Sequence, residues 1–180
     1  MFGFNVKSRR RSAVAAAALA MLGLAAPQAI AADATAGPGV KISARASDKA
    51  RALAAADPQS VRAAANLCGS GYELFMAERL PDATRLGTLF TYTKSGSSGL
   101  SGACAIFDNN TGAKQYMKLK ICPNRTGATC DTDEGTFSEY AGPVYTTGYN
   151  SYILCSKVTA VMKSGGVAVI DRVTYAAPCN

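Results

Sequence analysis

The sequence predicts an all-β fold: an antiparallel sandwich or barrel of about seven or eight strands, stapled by disulfides and preceded by short Ala-rich helices. Three observations predict it. Beyond Gly69 the composition turns to Tyr, Thr, Val, Ile, Phe and Gly, the residues of strands and tight turns. Apolar and polar residues alternate there with a period of two. All six cysteines lie at or beyond Cys68, in a chain that opens on an export leader. With 180 residues, 17% of them charged, the chain can bury one core and is too apolar for full disorder.

The leader comes first. Residues 1–12 carry Lys7, Arg9, Arg10 and Arg11 and no acid. An uncharged apolar run follows over residues 13–26, then Pro27 and the small-residue site Ala29-Ile30-Ala31. That order is a secretory signal peptide over residues 1–31, with cleavage expected before Ala32. The apolar run falls short of the ~20 residues that span a bilayer, so no transmembrane segment is expected in the mature chain. The protein is therefore expected to be secreted and extracellular. The leader removes four of the 19 basic residues and none of the 12 acids, leaving 15 against 12, or +3. From Cys68 onward the count is 10 against 9, or +1. The high pI belongs mostly to leader and flank, so nucleic acid is not an expected partner.

Residues 32–67 read as a flexible Ala-rich flank. Residues 32–40 lack periodicity and are expected to be disordered. Ser47 can cap a helix from Asp48 to Ala56, and Asp57-Pro58 is a second helix start. Val61, Ala64, Ala65 and Cys68 form one helical stripe, which Gly69 ends. Its Ala content predicts little buried area, so these helices are expected to lean on the domain or fray. A removed propeptide or a wall-spanning spacer is the functional alternative. A chain truncated to start at Asn66 is then expected to unfold cooperatively.

Residues 68–180 read as the β domain. Tyr72, Leu74 and Met76 alternate; Leu86, Phe90 and Tyr92 share a face; residues 103–107 form a further strand. The clearest strand covers residues 114–122, with Met117, Leu119 and Ile121 buried and Lys118 and Lys120 wet. Residues 151–162 are expected to be a strand. Val167, Val169, Val173 and Tyr175 are expected to face the core of the last one, with Asp171 as the exception.

An even cysteine count in an exported chain predicts three disulfides among Cys68, Cys104, Cys122, Cys130, Cys155 and Cys179. The turn-like stretch between Cys122 and Cys130 pairs those two. Closing that loop contributes about 2.6 kcal/mol by chain entropy. The other four allow three pairings. A tight hairpin through Gly165 would set Cys155 near residue 174, which argues against a Cys155–Cys179 bond.

Chemistry is sparse. Without His there is no Ser-His-Asp or Cys-His catalysis and no His-ligated metal. Asp131-Thr132-Asp133-Glu134-Gly135, with Glu139 beyond, resembles a calcium loop, but its Gly arrives one position early. It reads as a solvated turn, as does Asp108-Asn109-Asn110-Thr111-Gly112. No catalytic, cofactor or metal residue is expected, and the protein is read as not an enzyme. Tyr140, Tyr145, Tyr149 and Tyr152 crowd one segment with Phe137. They read first as strand residues and otherwise as rings for stacking on sugar or peptide. Arg125 lies inside the Cys122–Cys130 loop and marks a candidate binding loop.

Cys68-Gly69-Ser70-Gly71-Tyr72, with Phe137-Ser138-Glu139-Tyr140-Ala141-Gly142-Pro143-Val144-Tyr145, resembles spore-associated protein A, a family of small exported proteins of filamentous actinobacteria. Cys104, Cys155 and a Cys near the C-terminus follow in the family's order, and the resemblance covers residues 68–180. Cys122 and Cys130 are additions to the family's four cysteines, and the family's Trp after the penultimate Cys is missing. The resemblance implies a secreted, non-catalytic structural protein associated with the spore or cell-wall surface, with components of that surface as partners. It also makes modification of the glycosylation sequons at Asn109 and Asn124 unexpected. The alternative is a secreted binding module, either a protease inhibitor using the Arg125 loop or a glycan binder. Attachment is expected to be noncovalent, since no sortase-like tail or second apolar segment is present. Tyr and Thr on strand faces are expected to make the contact, rather than charge, because the domain carries only +1.

Overall fold

The computed structural model describes residues 40–179; the signal peptide expected over residues 1–31 lies outside them. Two helices, α1 (Asp48–Ala56) and α2 (Pro58–Cys68), precede the strands. The first five strands are β1 (Tyr72–Leu80), β2 (Gly87–Gly96), β3 (Gly99–Asn109), β4 (Gln115–Cys122) and β5 (Asp131–Phe137). Then come β6 (Tyr140–Thr147), a short helix α3 (Asn150–Ile153), β7 (Lys157–Ser164) and β8 (Val167–Tyr175). They form two four-stranded antiparallel sheets, ordered β1-β2-β3-β6 and β5-β4-β7-β8. The sheets pack face to face. Leu89, Ala105 and Phe107 of the first meet Met117, Leu119, Ile121, Val158, Ala160 and Met162 of the second in one buried core.

The first sheet is buried on both sides. A bulge between Leu74 and Met76 turns Leu74 outward and leaves Met76 against the inter-sheet core. Leu86 likewise joins the inter-sheet core, while Phe90 and Tyr92 face outward under the helices. Ala50, Ala54, Val61 and Ala64 are buried against Leu74, Ala77, Phe90, Tyr92 and Ile106. Small Ala side chains let the helix backbones approach the sheet closely. The Ser47 hydroxyl accepts from the Ala50 amide at 3.2 Å, and the Asp57 carboxylate accepts from the Ser60 amide at 3.2 Å, so both helix starts are capped as expected. The Tyr92 hydroxyl donates to the Val61 carbonyl at 2.7 Å, and Cys68 is bonded to Cys104 of β3. The helices are thus a third layer on the sheet, with the area buried there coming from the large residues beneath the Ala stripe.

Four expectations change. Residues 151–162 are not one strand: α3 and a left-handed Cys155, with φ of 57°, occupy the start, and β7 begins at Lys157. The valine face of β8 divides: Val169 packs against the inter-sheet core as expected, whereas Val167 and Val173 are exposed, and Ile170 is buried opposite Met162. Asp171 therefore belongs to the same outward face as Val173 and Tyr175. The Asp131–Gly135 stretch is strand rather than turn, because β4 offers its backbone as a ladder partner. The Cys122–Cys130 bond is formed as expected, but so is Cys155–Cys179, the bond that the hairpin through Gly165 argued against. The last pairing arises outside the ladder: the register leaves Tyr175 opposite Lys157, and beyond it the Cys155 amide donates to the Pro178 carbonyl at 2.9 Å.

Side chains close the flanks of the sandwich. On one side Asp133 and Asp131 of β5 accept from the backbone amides of Gly142 and Tyr145 in β6, at 2.7 and 2.8 Å. These bonds occupy donors that an edge strand would otherwise offer to other chains. On the other side Arg172 of β8 pairs with Glu78 of β1 at 3.0 Å.

Candidate functional site

The two outer faces of the sandwich differ. Helices cover that of the first sheet, whereas that of the second carries no layer among the described residues. Because Met117, Leu119 and Ile121 point inward, Tyr116, Lys118 and Lys120 point outward. The register then builds the face in rows. One row holds Thr136, Tyr116 and Lys163; the next holds Glu134, Lys118, Val161 and Asp171. A third holds Thr132, Lys120, Thr159 and Val173; a fourth places Lys157 between Cys122 and Tyr175.

Both acids of this face lie in the second row. Glu134 pairs with Lys118 at 2.8 Å and accepts from the Tyr116 hydroxyl, and the Lys163 ammonium sits 4.5 Å from the centre of the Tyr116 ring. The bonds from Lys118 and Tyr116 hold the Glu134 carboxyl below the usual carboxylate range. Lys120 and Lys157, diagonal neighbours in the third and fourth rows, have no acid in their own rows.

The Cys122–Cys130 loop continues this end of the face. Its Asn124 amide donates to the Tyr152 carbonyl at 2.8 Å, and the Arg125 guanidinium stacks 5.1 Å from the centre of the Tyr152 ring. Tyr149 meets Tyr152 edge-on at 5.6 Å and is itself 76% exposed. A cleft of about 260 Å³ separates the loop from β7, lined by Cys122, Asn124, Arg125, Thr126, Cys155 and Lys157. Two disulfides, Cys122–Cys130 and Cys155–Cys179, fix its walls. Three cations and three tyrosines therefore share one rigid end: Lys120, Lys157 and Arg125 with Tyr149, Tyr152 and Tyr175.

Other features lead elsewhere. A larger cleft of about 450 Å³, lined by Ser43, Arg45, Glu73, Thr93 and Asn150 among others, holds a single carboxylate, Glu73, which is hydrogen-bonded to none of the hydroxyls lining it. Its Asn150 side chain is already used, accepting from the Leu100 amide at 2.8 Å. Among the described residues Asp108 is the one carboxyl with a large shift: burial, and then the charge of Asp57, push it up to about 6. It lines neither cleft, and the Asp57 carboxylate is taken up by Arg79 at 3.2 Å and by Ser60. Among the described residues no three His, Cys, Asp or Glu side chains are grouped to hold a metal ion, and no helix is long and apolar enough to cross a membrane.

The predicted site residues separate in space. Arg125 is exposed, yet it lies on the domain's own Tyr152. The tyrosine cluster splits: Tyr140 and Tyr145 pack toward the helix layer, with the Tyr145 hydroxyl donating to the Leu67 carbonyl at 3.0 Å. Phe137 joins the inter-sheet core, and only Tyr149 and Tyr152 reach the Arg125 end. The calcium-like acids diverge, Asp131 and Asp133 toward β6 and Glu134 toward Lys118. Lys157 and Tyr175 carry no motif and were found through the register alone. Comparisons with protein-family models, curated proteins and solved structures give no match to this chain.

Proposed function

We propose that the protein is an exported, non-catalytic, surface-associated structural protein of the cell wall or spore, held to its surface by the uncovered face of the second sheet. The observation that carries this reading is the asymmetry of the sandwich. One outer face is occupied by helices and the other is left bare, with rows of Lys, Tyr and Thr. The three disulfides support it, since such bridges persist in oxidising compartments and suit a chain that must last outside the cell. The resemblance to spore-associated protein A, carried by Cys68 to Tyr72 and Phe137 to Tyr145, points the same way. The protease-inhibitor reading draws less support, because Arg125 would have to leave Tyr152 to enter a protease pocket. Fractionation of producing cultures tests the proposal. The protein should be found in wall or spore fractions with an N-terminus at Ala32; recovery only from the medium would refute it.

A further inference from the structure

We propose that the Lys120–Lys157–Arg125 end binds an anionic carbohydrate polymer, whose acidic groups meet the three cations and whose sugar faces pack on Tyr149 and Tyr175. This rests on the surface-associated reading and names the ligand class of that surface.

The first argument is charge placement. From Cys68 onward the chain carries only +1, yet three cations gather here and the two acids of the outer face lie in a different row. Once a polyanion is within about a Debye length, its attraction depends on such a local field more than on the net charge. The second is the mixture of groups. Lys157 lies opposite Tyr175, and Arg125 stacks on Tyr152 beside the exposed Tyr149. Ammonium and guanidinium groups recognise carboxylate or phosphate, while exposed rings offer an apolar face to the C–H side of a sugar. The third is spacing. Each two-residue step along β4 and β7 advances about 7 Å. Lys120 and Lys157 are diagonal neighbours on the paired strands, offset by one such step, and Arg125 lines the same cleft as Lys157, so the cations are spaced for successive acidic groups of a repeating chain. The fourth is rigidity. Two disulfides hold the cleft walls before any ligand arrives, which lowers the entropy lost on binding. A single-stranded nucleic acid shares the charge, but it binds best where successive rings stack successive bases. Here the two exposed rings come from separate elements, Tyr149 at the start of α3 and Tyr175 at the end of β8.

The test uses the full mature protein with immobilised polygalacturonate, dextran as the neutral polymer, and single-stranded DNA of similar length. Polygalacturonate should bind and dextran should not, with the affinity falling as salt rises. The triple variant Lys120→Ala, Lys157→Ala, Arg125→Ala should weaken binding at least about tenfold, whereas the double variant Lys118→Ala, Glu134→Ala, which removes a neutral pair, should change it less than about twofold. Tyr149→Ala, at an exposed position that the fold does not need, should also weaken binding. Unchanged binding by the triple variant, equal binding to dextran, or tighter binding to DNA than to polygalacturonate would each overturn the inference. The same variants are followed in culture fractions. A native protein on the surface that ignores polygalacturonate refutes the ligand class and leaves surface association standing. A native protein found only in the medium refutes surface association itself.

Discussion

Starting the chain at Asn66 would remove α1 and most of α2 while keeping all eight strands and all six cysteines. The sequence alone favours continued cooperative unfolding for that truncation; the structure predicts its loss. The deletion uncovers Leu74, Phe90, Tyr92 and Ile106, each at 0% exposure in the layer beneath the helices. Exposing such a side chain costs about 1.5–3 kcal/mol, so the four together cost about 6–12 kcal/mol. The lower end alone matches the whole stability of many domains, about 5–15 kcal/mol. The Tyr92 hydroxyl also loses the Val61 carbonyl. Urea unfolding followed by circular dichroism, with dye binding for exposed apolar surface, provides the assay. The truncated chain should bind dye without denaturant and show a broad or absent transition. Val61→Ala is the graded companion, expected to cost about 2 kcal/mol through lost methyl groups and a cavity. A truncated chain within about 1 kcal/mol of the mature protein's stability, with a sharp transition, would refute the claim that the helices are integral.

Other outcomes follow from single sites. Asp108, raised to about 6 from 3.8, binds more protons folded than unfolded between those values, so it lowers stability as pH rises through that window. Asp108→Asn should remove this fall and add on the order of 2 kcal/mol at pH 7, read from unfolding midpoints at pH 4 and 7. Replacing Cys155 and Cys179 together by Ala should cost about 3.5 kcal/mol of loop-closure entropy, measured by urea unfolding, and should weaken polygalacturonate binding because one wall of the Arg125 cleft loosens. The Thr91 hydroxyl is fully buried without a partner, so Thr91→Val should raise the stability by about 1 kcal/mol in the same assay.

The fold was legible where one face of a strand meets the core and the other meets water. Met117, Leu119 and Ile121 against Lys118 and Lys120 are such a case, and β4 lies where the alternation puts it. β8 misleads because Val167 and Val173 serve there as strand formers on a solvent face, and only pairing with β7 shows that Ile170 is turned inward. β2 is buried on both sides, so alternation could not say which of its residues faced the second sheet. The helices were legible from their caps, but not their role: an Ala stripe looks weak until Phe90 and Tyr92 are known to lie beneath it. Arg125 could be singled out from its place between two cysteines. Its companions come from β4, α3, β7 and β8, and no local pattern in sequence connects them.

Net charge is the other quantity that the fold reinterprets. Counted along the chain, +1 from Cys68 onward argues for a contact made by polar and aromatic packing. Placed in three dimensions, several acids are already engaged: Asp131 and Asp133 hold β6, Glu78 holds Arg172, Asp57, ahead of Cys68, holds α2 and Arg79, and Glu134 holds Lys118. Carboxylates used in this way neutralise the flanks and the second row of the outer face, whereas at one end Lys120, Lys157 and Arg125 form no ion pair with the described residues. Sequence neighbours hide this, since Lys120 and Lys157 are far apart in the chain and meet only because β4 pairs with β7. The same use of acids that closes the sandwich therefore creates the field at its open end. A surface contact made there should respond to salt even though the domain as a whole is nearly neutral.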